Sequence, residues 1–268
     1  MRGLQNPTGI ESMKTFLPIL CFLSLIAGCS HEASKSEATA SSSTPEQATF
    51  HVDPATAGSV SGTIHWNGPK PAKVPVDMSG DPACVSANHG KVFEDAVLLG
   101  KHNEVDNAFL YIKSGLEGKT FEVPSTPVTI DQRGCWFHPR VFGVQTGQEV
   151  DIVNSDPVTH NIHSMAHINR EWNHSQGPGD PPMHRRFLKP EVMIPVKCNI
   201  HSWMHEYIGV VDNPYFVVSD AEGKFTIPNL PPGTYTLALW HEKLGTQEQQ
   251  ITIPPHGSTT VNFELKPK

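Results

Sequence analysis

Residues 198–205 read CNIHSWMH and place a thiol, two imidazoles and a thioether in one short stretch. Cys198, His201 and Met204 follow the spacing C-x2-H-x2-M, so three soft or borderline donors fit on one tight loop. A fourth donor has to come from elsewhere. Upstream, THNIH offers His160 and His163. In extended chain these two point to opposite faces, so only one of them can meet the loop. Two His and one Cys in a trigonal arrangement with a long axial Met make a copper site suited to electron transfer. Zinc competes, using His160, Cys198, His201 and His205 as a tetrahedral set. A buried cysteine beside a metal-free loop is the third reading.

Other chemistry is poorly represented. The sequence contains no G-x-S-x-G, no H-E-x-x-H and no Gly-rich phosphate loop. The expected role is therefore not that of an enzyme. A dinuclear copper centre needs a second Cys in the loop, and there is none. Lys197 and Asn199 flank Cys198, where wiring to a trinuclear cluster requires His on both sides.

The paired segments THNIH and CNIHSWM resemble those of the cupredoxins, in particular the amicyanin-like members. The resemblance covers roughly residues 122–212 and implies a Greek-key β-sandwich holding one type 1 copper. His160, Cys198, His201 and axial Met204 would be its ligands. It also implies a supporting role for Asn161 near the thiolate. The edge of His201 would be exposed as the electron port, with Trp203 beside it as a docking residue. A cytochrome or dehydrogenase would be the redox partner. The sequence departs from the family pattern in two places. The Gly that follows the axial Met is delayed to Gly209. Residues 166–190 are long and rich in His, Pro and Gly, and read as a solvated insertion. Its His167, His174 and His184, with His163, are candidates for a second metal site.

The elements that must position these residues read as β. Glu149 to Asn154 (EVDIVN) alternates as a strand and Ser155-Asp156-Pro157 marks a turn. Tyr207 to Val211 reads as the strand leaving the loop. Across 268 residues, Pro (24) and Gly (21) punctuate short runs and long amphipathic helical patterns are absent, which makes the chain all-β. After residue 212 the pattern changes. SDAEGKF and NLPPGTYTL resemble the signature of the carboxypeptidase regulatory-like, prealbumin-like β-sandwich, a spacer or adhesion module. The stretch 213–268 is short for that fold. Gly58 to Gly68 resembles its opening strand, and Asn107 to Lys113 reads as another. Residues 55–121 and 213–268 are therefore expected to share one sandwich, with 122–212 inserted; tandem domains are the alternative.

The N-terminus is a targeting segment. An apolar run from Phe16 to Ile26 is too short to span a bilayer and suits a signal peptide. Leu25 to Cys29 (LIAGC) resembles a bacterial lipobox, which implies lipidation at Cys29; the polar residues 1–12 sit awkwardly ahead of such a signal and make Met13 a candidate start. Residues 1–29 would be the signal. Residues 30–54, rich in Ser, Ala, Thr and Glu, would be a disordered tether. Such a chain would sit on the periplasmic face of the outer membrane or on the cell surface. Cys84, Cys135 and Cys198 then remain in an exported head where disulfides persist. With Cys198 among metal-ligand types, Cys84 and Cys135 are the expected pair.

Acidic and basic residues (27 and 20) are interspersed, with a net charge of −7 and no basic stripe along the sequence, which argues against nucleic acid. Three functions remain. The first is a membrane-anchored single-electron carrier. The second is a copper-binding or delivery protein without redox turnover, and the third a zinc-bound or metal-free adhesion scaffold.

Overall fold

The structure is a computed structural model that describes residues 48–267. The signal segment 1–29 with Cys29, and most of the tether, lie outside the described residues. Among the described residues are seventeen strands and one short helix. In chain order they are β1 (Gly58–Trp66), α1 (Pro82–Ala87), β2 (Phe109–Ser114), β3 (Val128–Arg133), β4 (Trp136–His138) and β5 (Val141–Gln145). There follow β6 (Glu149–Asn154), β7 (His160–Ser164), β8 (Trp172–Gln176), β9 (Met183–Arg186), β10 (Glu191–Lys197) and β11 (His205–Val211). The chain ends with β12 (Phe216–Val218), β13 (Lys224–Leu230), β14 (Gly233–His241), β15 (Gly245–Ile253), β16 (Ser258–Thr260) and β17 (Phe263–Leu265).

Four sheets pack as two sandwiches. In the first, β1 lies between β13 and β16 and also pairs β17, facing a sheet ordered β12-β2-β14-β15. Strands from both ends of the chain thus share sheets: Thr63 sits opposite Lys224 and Phe109 opposite Trp240. Alternating inward residues such as Val60, Ile64, Leu110, Ile112, Phe225 and Leu237 fill its core. The second sandwich uses only strands from Val128 to Val211. One sheet is ordered β5-β11-β10-β7-β8 and the other β4-β3-β6-β9. Its core includes Ile130, Val150, Ile152, Ile162, Ile194, Val196 and Ile208.

The segment 166–190 is more regular than its composition suggests. It contributes β8 and β9, each hydrogen-bonded to the outer edge of a different sheet. Edge strands expose most side chains, so the polar, His-rich sequence carries no alternation to betray them.

The sandwiches meet through Phe109, Val141, Met193 and Val211. Gly209 explains its own position here: a Cβ on it would lie 2.4 Å from the Phe109 ring. Arg140, almost fully buried, bonds Glu242 of the first sandwich at 2.7 Å and also pairs with Asp95. A lone buried guanidinium is costly to desolvate, and two carboxylates offset that cost.

Candidate metal centre

The β10–β11 hairpin presents the loop 198–204. Lys197 pairs His205 at its neck, and the Cys198 N–H donates to the Met204 carbonyl at 3.1 Å. The turn before β7 supplies the opposing side. Asn154 braces it, its amide donating to the carbonyls of Val158 (2.8 Å) and Gln176 (2.9 Å). Asn161 ties the two together, its side-chain oxygen accepting the Asn199 N–H at 3.1 Å.

His160, Cys198 and His201 converge, with donor atoms within 4.8 Å of one another and all three buried. Met204 is fully buried in the same core. His163 faces the other way and pairs with Glu171 at 2.6 Å.

Hydrogen-bond partners fix the tautomers. His160 Nε2 lies 2.7 Å from Asp156 Oδ2 and His201 Nε2 lies 3.2 Å from Asp81 Oδ2. An ionised carboxylate only accepts, so each Nε2 carries the proton. Both Nδ1 lone pairs then face each other at 3.0 Å. Two bare lone pairs at that distance repel unless a cation sits between them. Burial also lowers the pKa of His160, against the pull of Asp156. Beside them, Cys198 Sγ accepts backbone N–H groups from Asn161 (3.4 Å), Ile200 (3.4 Å) and His201 (3.3 Å). Three N–H donors converge on one sulfur and hold it in place as an acceptor. The donor set therefore fits a soft or borderline cation such as copper.

One expectation needs correction. His201 does not expose an edge: it is only 3% accessible. The start of α1 covers it, with Asp81 on its Nε2 and Cys84 Sγ 3.6 Å away. Asp81 is the N-cap of α1, accepting the N–H groups of Ala83 and Cys84, and Pro82 opens the helix. Burial pushes the Asp81 carboxyl up, but these bonds with that from His201 outweigh it and hold it low. Cys84 is disulfide-bonded to Cys135, which clamps α1 over the loop. Trp203 sits beside this cover. It is half-buried, its ring 5.2 Å from that of His201, and its indole N–H donates to the Cys135 carbonyl at 3.0 Å.

His205, the fourth ligand of the zinc reading, does not join the cluster. It lines a cavity of about 140 Å³ with Arg140, Trp203, Tyr207 and Glu242. Burial, then the charge of Arg140, lowers its pKa. Nor do His163, His167, His174 and His184 gather into one group among the described residues; His184 instead bonds Asp151 at 2.7 Å.

Sequence reasoning missed Asp81 and Asp156. Asp81-Pro82 is a helix-start signal, and Asp156 was read only as a turn residue. Asp156 also accepts the N–H groups of Gly134 (2.6 Å) and Cys135 (2.7 Å).

Residues 210–266 match the carboxypeptidase regulatory-like domain family. No curated protein matches the sequence. Among solved structures, the chain is similar to a copper-containing nitrite reductase from Thermus scotoductus at 22% identity and a TM-score of 0.31. That match covers 38% of this chain and 25% of the reductase, so the chain spans about a quarter of that relative. A purple cupredoxin from Nitrosopumilus maritimus is 20% identical over 31% of this chain and 98% of its own, with a TM-score of 0.27. An amicyanin variant in its Cu(I) form is 18% identical over 38% of this chain and 97% of its own, with a TM-score of 0.28.

Proposed function

We propose that this chain is an exported, lipid-anchored single-electron carrier whose inserted domain, residues 122–212, holds one type 1 copper. His160, Cys198, His201 and Met204 would hold the metal. The observation that carries this reading is the pair of Nδ1 lone pairs aimed at one point beside a threefold hydrogen-bonded sulfur. Bound copper would supply one-electron exchange between Cu(I) and Cu(II). The protein's part is to hold the donors still. Asp156 and Asp81 fix both rings, Asn161 locks the loop, and two rigid sheets limit rearrangement. Burial of His201 beneath α1 also favours retention of the metal over delivery. The regulatory-like sandwich would serve as a spacer, and Cys29 with the tether would hold the head near a membrane.

The test is a visible spectrum of the purified chain with added Cu(II). An intense thiolate-to-copper charge-transfer band, abolished in Cys198→Ser, is expected. Copper bound without that band would instead indicate a non-redox copper carrier. No copper binding at all would leave the zinc or scaffold reading.

A further inference from the structure

With His201 covered, electrons need another way in. The opposite side of the thiolate provides one. Asn161, whose backbone N–H donates to Cys198 Sγ, donates through its side chain to Asn173 Oδ1 and to the His174 carbonyl. Asn173 is exposed on β8, the outermost strand of its sheet. Two hydrogen bonds therefore connect the sulfur to the surface.

Beside Asn173 runs a groove of about 770 Å³, walled by residues 168–173 and 185–189. Its charge is opposite to that of the whole chain, which is −7. Arg170, Arg185, Arg186 and Lys189 line it. Of the nearby carboxylates, Glu171 hydrogen-bonds His163, Glu149 pairs with Arg186, and buried Glu191 accepts the N–H groups of His167 and Asn169, so the four cations outnumber them at the groove. Arg185 lies over the Trp172 ring, 5.1 Å from its centroid. Arg170 and Lys189 pair with no carboxylate among the described residues. Ile168 (57% exposed) and Leu188 (72%) add apolar surface between the cations. Apolar contact rimmed by one sign of charge suits a transient, electrostatically steered complex.

We infer that this groove docks an acidic redox protein, and that electrons pass between it and the metal site through Asn173 and Asn161. This rests on the copper reading above. The full-length, copper-loaded chain is reacted with hexacyanoferrate, a small anionic redox probe, at rising salt. A locally cationic port makes the rate fall between about 20 and about 200 mM salt, whereas the net charge alone would make it rise. The double variant Arg170→Glu/Lys189→Glu should slow the low-salt reaction about tenfold with an unchanged visible band. Matched reversals at Lys73 and Lys91, beside α1, should leave it unaltered.

A second readout needs no copper. Hexacyanochromate(III), a redox-inert paramagnetic anion, should broaden amide signals of residues 168–173 in the metal-free chain and spare those of α1. A rate that rises with salt, or broadening centred on α1, overturns the inference while leaving the charge-transfer band intact. Loss of that band would defeat the copper reading instead, and the broadening experiment would still locate the anion surface. Sedimentation with phosphatidylglycerol vesicles, abolished by the same double reversal, would reassign the groove to a membrane.

Discussion

Cys84 Sγ lies 3.6 Å from His201 Nε2, so a disulfide stands where solvent would otherwise meet the outer imidazole. The bridge spans 51 positions in sequence and joins a six-residue helix to a β-turn. So short a helix has little stability of its own. Its place over the loop depends on that bond and on Asn88, whose side chain donates to the Gly134 carbonyl at 2.7 Å.

Replacing both bridge cysteines by Ser should destabilise the chain by about 4 kcal/mol, the chain-entropy value for a loop of this length. Urea unfolding of the oxidised chain and the variant measures it. The same variant should expose His201 and raise its reactivity towards diethylpyrocarbonate. A loss below about 1 kcal/mol would mean that α1 is held by packing alone.

Asp156 is bonded at three points, to Gly134, Cys135 and His160. Asp156→Asn keeps the volume but offers an N–H group where an acceptor is needed. Metal affinity should fall about 10- to 100-fold, as for other groups that orient a ligand histidine. Competition against a chromophoric Cu(I) chelator reads this out. An unchanged affinity would show that the turn alone orients the ring.

Two buried groups give opposite pH dependences. His241 accepts the N–H groups of Lys243 and Leu244, and burial, then Arg140, lowers its pKa to about 4. Between its ordinary value of 6.5 and 4, the unfolded chain binds the proton and the folded one does not. Stability should therefore fall by about 3 kcal/mol as pH drops through that window. Glu206 is the reverse case: burial raises it well above 4.5, and neither carboxyl oxygen has a partner. Its folded form keeps a proton that the unfolded chain releases, so its contribution to stability falls as pH rises above about 4.5. Thermal unfolding from pH 4 to 9 should show His241→Gln flattening the acid limb. Glu206→Gln should gain on the parent as pH rises. Parallel curves for parent and variants would remove these groups as the cause.

The convergence of His160, Cys198 and His201 was legible because it is almost local. One hairpin loop carries two donors; alternation along β7 lets only one of His160 and His163 join them, and the family resemblance names His160. The β pattern of the core strands was legible for the same reason, since Glu149–Asn154 and His205–Val211 are buried in alternation or throughout. The cover on His201 was not. Asp81 reaches it across 120 positions, and nothing in the spelling of 78–88 states where that helix docks. Gly209 looked like a misplaced family glycine until Phe109, from the other sandwich, accounted for it.

The pairing of β1 with β13 has a consequence for how the chain is made. Thr63 waits for Lys224, roughly 160 residues later, on the order of 10–30 s at ordinary synthesis rates. During that interval β1 and β2 are nascent strands without their final neighbours. The strands from Val128 to Val211 pair only among themselves, so they can close first. Closure brings Val128 and Val211 onto one body and shortens the search that β2 and β12 must make for each other. The inserted sandwich would then act during biogenesis as the clasp on which its host sandwich assembles.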